Sequence, residues 1–131
     1  MSMPIFHMIS GAPQPVAPYS HVVEVDGWLL VTGQVASDLD YDPGTMPEGI
    51  EAQTHKVMAN LRTVLQGVGA GFENVVSARV FLTHFEGDFD VMNRIYASYF
   101  PEGQRPARTC IGVTALAGGA RVEIDLIARR P

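Results

Sequence analysis

The fold is decided by two adjoining stretches, IEAQTHKVMANLRTVLQGVG at residues 50–69 and VVSARVFL at residues 75–82. In the first, Ile50, Val57, Met58, Leu61, Val64, Leu65 and Val68 recur at the spacing of one helix face and stop at Gly67-Val68-Gly69. In the second, Val76, Ala78, Val80 and Leu82 alternate with Ser77, Arg79 and Phe81, the period of a half-buried strand. Working towards the N-terminus, Val22 to Val25 and Trp28 to Thr32 read as two strands joined by a tight Asp26-Gly27 turn. Ile9 to Ser20 holds three prolines and a glycine and reads as irregular. Asp38 to Gly49, polar with two prolines and two glycines, reads as a surface loop. Towards the C-terminus, Asp88 is placed to cap a second helix, with Phe89, Met92, Tyr96 and Phe100 on one face and Pro101 at its end. Thr109 to Val113 and Val122 to Ala128 complete the strands, with Glu123 and Asp125 on the opposite face of the last one. The order predicts an α+β domain over residues 1–131, a mixed β-sheet with two helices packed on one face.

Composition narrows the function classes. A chain of 131 residues suits one core. A single cysteine, Cys110, excludes an internal disulfide framework and suits a reducing compartment. No signal segment or membrane-length apolar run is visible, so a soluble cytoplasmic protein with no membrane partner is expected. Nine basic against fourteen acidic residues give a net charge of −5, with no run of basic residues beyond Arg129-Arg130. A phosphate backbone is therefore an unsuitable partner, and no nucleic acid is expected. Eight of the nine basic residues are arginine, so any Schiff-base chemistry would have to use Lys56.

Metal readings fail on spacing. Asp38, Asp40 and Asp42 alternate as at the start of a calcium loop, but its sixth and twelfth positions hold Pro43 and Gly49. His7, His21, His55 and His84 are scattered, without zinc-ligand spacing. The glycines of residues 67–71 follow a helix instead of opening one, so they stop it and cradle no phosphate. Cys110 has Arg108 two residues before it on the same strand face, and a cation lowers a thiol's pKa. The alternative is a small residue filling the sheet. In Arg105-Pro106-Ala107-Arg108, Pro106 keeps the chain extended just before a strand and so holds the Arg108 guanidinium, suited to bidentate carboxylate recognition, at the strand entrance. Glu123 lies on the non-core face of the last strand. Spacing leaves open a surface ion pair between Arg108 and Glu123, worth under about 1 kcal/mol.

Pro18-Tyr19-Ser20, Thr32-Gly33-Gln34, Gln53-Thr54, Asn60-Leu61, Asn93 with Tyr96 and Phe100, Pro106-Ala107-Arg108 and Val122-Glu123-Ile124 together resemble the RidA family, also called YjgF or L-PSP. The order and spacing agree from about Ala12 to Ala128. The resemblance implies a fold similar to bacterial chorismate mutase, assembled as a homotrimer with sites in the clefts between subunits. It further implies hydrolysis of enamines and imines such as 2-aminoacrylate to a 2-keto acid and ammonia, with no cofactor or metal. By the same resemblance Arg108 holds the substrate carboxylate, Glu123 positions or activates water, and Tyr19, Thr32 and Cys110 line the cleft. Thr32 stands where serine is common, Ala17 where glycine precedes Pro-Tyr-Ser, His21 where glutamine is frequent and Ala117 where a proline follows leucine. These departures bear on cleft shape and preferred substrate. A deaminase for one pathway, such as that of 2-aminomuconate, and a non-catalytic trimer that binds carboxylate metabolites are the alternatives within the resemblance.

Overall fold

The computed structural model describes residues 3–40 and 42–131. The elements are β1 (Ile5–His7), β2 (Val22–Val25), β3 (Trp28–Gln34), α1 (Ile50–Gly67), β4 (Val75–Leu82), α2 (Phe85–Ala97), β5 (Ala107–Gly112) and β6 (Val122–Arg129). One six-stranded sheet has the order β1-β2-β3-β6-β4-β5, and β4 with β5 is its parallel pair. Because β3 and β4 both run antiparallel to β6, they are parallel to each other, and α1 is the crossover between them. The helix α2 makes the second crossover, from β4 to β5. Both crossovers move the same way across the sheet, so the right-handed rule puts both helices on the same face.

That face is the core. Leu29, Val31, Ala78, Val80, Leu82, Val122, Ile124 and Leu126 from the sheet meet Val57, Met58, Leu61, Val64 and Leu65 of α1 and Met92 and Tyr96 of α2. The hairpin turn between β2 and β3 has Asp26 at φ 52 and Gly27 at φ 82, the doubly left-handed geometry that matches strand twist. The α+β class, the two helices on one face and α1 itself agree with the sequence reading.

Four details differ. The strand β1 carries no sequence signal, since its three residues lie at an edge and are exposed or half-buried, without alternation. The strands β3 and β5 run two residues further than read, to Gln34 and from Ala107. A register shift opposite β6 between Val75 and Ser77 turns Val75 into the core and leaves Val76 43% exposed. Asp88 does not cap α2. The helix already begins at Phe85, whose ring stacks on Phe89 with centroids 4.8 Å apart. Asp88 is instead buried in the first turn, accepting from Arg121 Nε at 2.8 Å and Nη2 at 2.9 Å.

Two buried polar side chains fix the loops beside the sheet. The Asn60 amide donates to the carbonyls of Val35 and Ser37, both at 3.0 Å. His21 is buried, and its Nδ1 accepts from the Ile9 amide at 2.7 Å. An amide N–H only donates, so the imidazole proton sits on Nε2 and is given to the Pro13 carbonyl at 2.8 Å. His21 therefore packs beside the sheet as a brace between the Ile9 amide and the Pro13 carbonyl.

Candidate active site

The outer face of the sheet carries Glu123. Strand alternation turns Val122 and Ile124 inward and Glu123 outward. Its carboxylate lies against Gly33, where any added Cβ would collide with Oε2, so the close approach requires glycine there. Tyr19, Thr32, Gly33, Ser37, Ala117 and Glu123 line a pocket of about 350 Å³. The brace residues set its walls, since Pro13, Val35 and Ser37 also line it. Glu123 is half-buried and makes no hydrogen bond among the described residues. Burial raises its pKa, the neighbouring Asp125 raises it further, and Arg79 opposes both. Arg79 is itself held by Asp125 through bonds of 3.0 and 2.7 Å. A half-buried carboxyl of raised pKa facing a pocket can take up and return a proton.

Arg108 lies on the other face. Opposite it in β4 is Ala78, a core residue, so the Arg108 side chain leans toward α2. Its guanidinium carbon sits 5.0 Å from the Tyr96 ring centroid and 5.9 Å from that of Phe89, and Nη1 is 3.9 Å from Met92 Sδ. No carboxylate pairs with it among the described residues. A cation held by aromatic faces and left without an anion is a seat for one. Asn93, Tyr96, Ala97, Arg105, Pro106 and Arg108 line a second pocket of about 290 Å³. In it, Asn93 Oδ1 and the Tyr96 hydroxyl are buried without partners.

The structure therefore divides the expected site residues. Tyr19, Thr32 and Glu123 share one pocket, Arg108 and Cys110 the opposite face. The surface ion pair between Arg108 and Glu123 does not exist. Arg108 and Cys110 do share a strand face, but the thiol pKa moves upward, because burial outweighs the Arg108 charge. Cys110 is thus not poised as a thiolate nucleophile. Asn93 and Tyr96 join the site beyond the residues that the sequence points to. Tyr96 lies on the apolar stripe of α2, yet a buried tyrosine needs a hydroxyl partner, and that need is the available signal. Among the described residues no group of three His, Cys, Asp or Glu could hold a metal ion. No helix among them is long and apolar enough to cross a membrane.

The family model described as Endoribonuclease L-PSP matches residues 9–130. A RutC family protein of Synechocystis is 44% identical over 124 residues, covering 92% of this chain and 92% of its own. A 2-iminobutanoate/2-iminopropanoate deaminase of Mus musculus is 40% identical over 118 residues, covering 89% of this chain and 84% of its own. Among solved structures, E. coli TdcF with bound serine has a TM-score of 0.84 at 26% identity, covering 95% of this chain and 99% of its own. With sequence and architecture matching over nearly the whole length, this chain belongs to the RidA (L-PSP) family.

Proposed function

We propose that the protein hydrolyses small 2-imino acids, and their enamine tautomers, to 2-keto acids and ammonia, at sites built between copies of a homotrimer. One observation carries the reading. Arg108 and Glu123 are both half-buried and unpaired, and they occupy opposite faces of one sheet. A single chain cannot bring them to one substrate, whereas the arginine face of one copy and the glutamate pocket of the next can. The outer face suits such an assembly. Phe6, Val23, Leu30 and Ile127 form a continuous row by register, and Phe6, Leu30 and Ile127 are 67%, 45% and 40% exposed. An apolar row on an uncovered sheet face favours burial against another copy.

The chemistry uses the two groups in sequence. Arg108 holds the substrate carboxylate with its fork and so fixes the adjacent C=N carbon. Water attacks that carbon, giving its proton to Glu123 as the C–O bond forms, and Glu123 returns that proton to the nitrogen. Glu123 then carries the proton of the carbinolamine hydroxyl to the nitrogen as the C–N bond breaks and the C=O bond forms, and ammonia leaves a 2-keto acid. A carboxyl of raised pKa suits both proton transfers. Imines already hydrolyse in water, so a thousandfold gain needs only about 4 kcal/mol. An RNA substrate is disfavoured by the net charge of −5.

The test generates 2-iminobutyrate with a threonine dehydratase in the presence of semicarbazide and follows how the protein diverts imine from the trap. Diversion by the wild type, abolished in a folded Arg108→Ala variant, is expected. A folded, trimeric wild type that diverts nothing would remove the deaminase reading and leave the carboxylate-binding trimer. An Arg108→Ala variant with undiminished activity would remove Arg108 from the site.

A further inference from the structure

We propose that Arg105 is a second anion-binding group in the Arg108 pocket, so that the site favours 2-imino and 2-keto acids bearing a second carboxylate. The inference rests on the deaminase reading for the reaction, though not for the binding.

Half of the eight arginines pair with a carboxylate. Arg79, Arg94, Arg121 and Arg130 each reach an Asp or Glu carboxylate. Among the described residues Arg62, Arg105, Arg108 and Arg129 reach none; Arg62 and Arg129 lie over aromatic rings, whereas Arg105 and Arg108 share a pocket that no acidic residue lines. Two unpaired guanidinium groups at one concave surface form a seat for a dianion.

The backbone explains how both reach it. Residues three apart on one strand point to opposite faces. Arg105 precedes β5, however, and follows a turn in which Gln104 N–H donates to the Pro101 carbonyl at 3.0 Å and Gly103 has φ 82. It escapes strand alternation, and Pro106 holds it extended beside the pocket. The two Cα atoms are about 10 Å apart at the rise of an extended chain. Two long side chains can then converge on charges a few bonds apart.

A second, independent observation is the Tyr96 hydroxyl. Tyr96 is only 4% exposed, lines this pocket, and its hydroxyl lacks a partner, as does Asn93 Oδ1. An orphaned buried polar atom at a pocket wall calls for a hydrogen-bond partner, which a ligand in the pocket can supply. The hydroxyl can donate to a carboxylate oxygen, and Asn93 Oδ1 can accept from a substrate N–H.

The experiment is calorimetric titration of the full-length protein with 2-oxoglutarate and with 2-oxopentanoate, which shares the five-carbon backbone but lacks the far carboxylate. The wild type should bind the diacid about tenfold more tightly. Arg105→Gln should reduce that ratio to about one, while Arg94→Gln, which removes a surface charge paired with Glu51 and not lining the pocket, should leave it unchanged. Equal affinities in the wild type, no measurable binding of the diacid, a ratio that survives Arg105→Gln, or an equal fall in Arg94→Gln would each overturn the proposal. The semicarbazide assay separates the two readings. Diacid preference without turnover of any imine would keep this site and remove the deaminase. Turnover without preference would do the reverse.

Discussion

Removing the guanidinium of Arg121 should damage the protein more than its surface position suggests. Asp88 is 3% exposed and depends on Arg121 for the two charged hydrogen bonds to its carboxylate. Arg121→Met keeps the aliphatic stem and leaves that carboxylate buried and unpaired. Breaking a buried pair on one side costs about 3–5 kcal/mol. Because the Arg121 side chain is 36% exposed, water reaches part of the vacated space. The lower end applies, about 3 kcal/mol, which in a domain of this size lowers the melting temperature by about 10 °C. The double variant with Asp88→Leu should recover most of the loss, since no buried charge remains. Urea and thermal unfolding at one fixed protein concentration measure both, because assembly would tie the midpoint to concentration. A loss below about 1 kcal/mol in the single variant would mean that the pair behaves as a surface one. A double variant no better than the single would equally refute the reasoning. The clamp also joins the two pockets, since it ties α2, which carries Asn93 and Tyr96, to the start of β6, which carries Glu123.

Three further outcomes are expected. Glu123→Gln should slow hydrolysis and remove an acid limb lying above the ordinary carboxylate range in the pH–rate profile; an unchanged profile would take Glu123 out of proton transfer. Burial raises the folded-state pKa of Glu123, so its ionised form weakens folding above that pKa and the penalty is relieved as pH falls through it. The variant should therefore gain stability over the wild type at neutral pH and lose that advantage in acid, as read by urea midpoints. Gly33→Ala should displace the Glu123 carboxylate and cut turnover by up to about 100-fold, while the melt changes little because the colliding atoms end a flexible side chain; full activity would show that the close approach is unimportant. His21→Leu should cost about 2–4 kcal/mol in chemical denaturation, since the Ile9 amide and Pro13 carbonyl lose their partners; a neutral substitution would mean that water replaces the imidazole.

The parts of the fold legible in the sequence were those where one face of an element is buried along its length. The helix α1 announces itself through seven apolar positions at helical spacing, and β6 through strict alternation. The edge strand β1 has no buried face to create a pattern, and the bulge at Val75 shifts the phase of an alternation that continues beyond it. Asp88 illustrates a different limit. Its type and position suit a helix cap, but a long-range arginine decides where the carboxylate goes. Arg108 and Glu123 could be singled out by residue type and resemblance. Their separation onto opposite faces could not, because the facing of Arg108 depends on its parallel pairing with β4 across a crossover. The orphaned atoms of Asn93 and Tyr96 likewise become visible only when α2 and β5 are brought together.

The insertion of β6 between β3 and β4 also bears on how the chain is made. The last strand in sequence is a central strand in space, and it supplies the antiparallel partner for both neighbours. A growing polypeptide that has emerged only as far as β5 has a gap through the middle of its sheet, and its two helices lie over an incomplete floor. Such non-local closure is slow, and the open strand edges are liable to associate wrongly. Cooperative structure is thus postponed until β6 has left the ribosome. Stalled nascent chains lacking Val122–Arg129 should remain open to proteases, with protection appearing in one step once those residues are free.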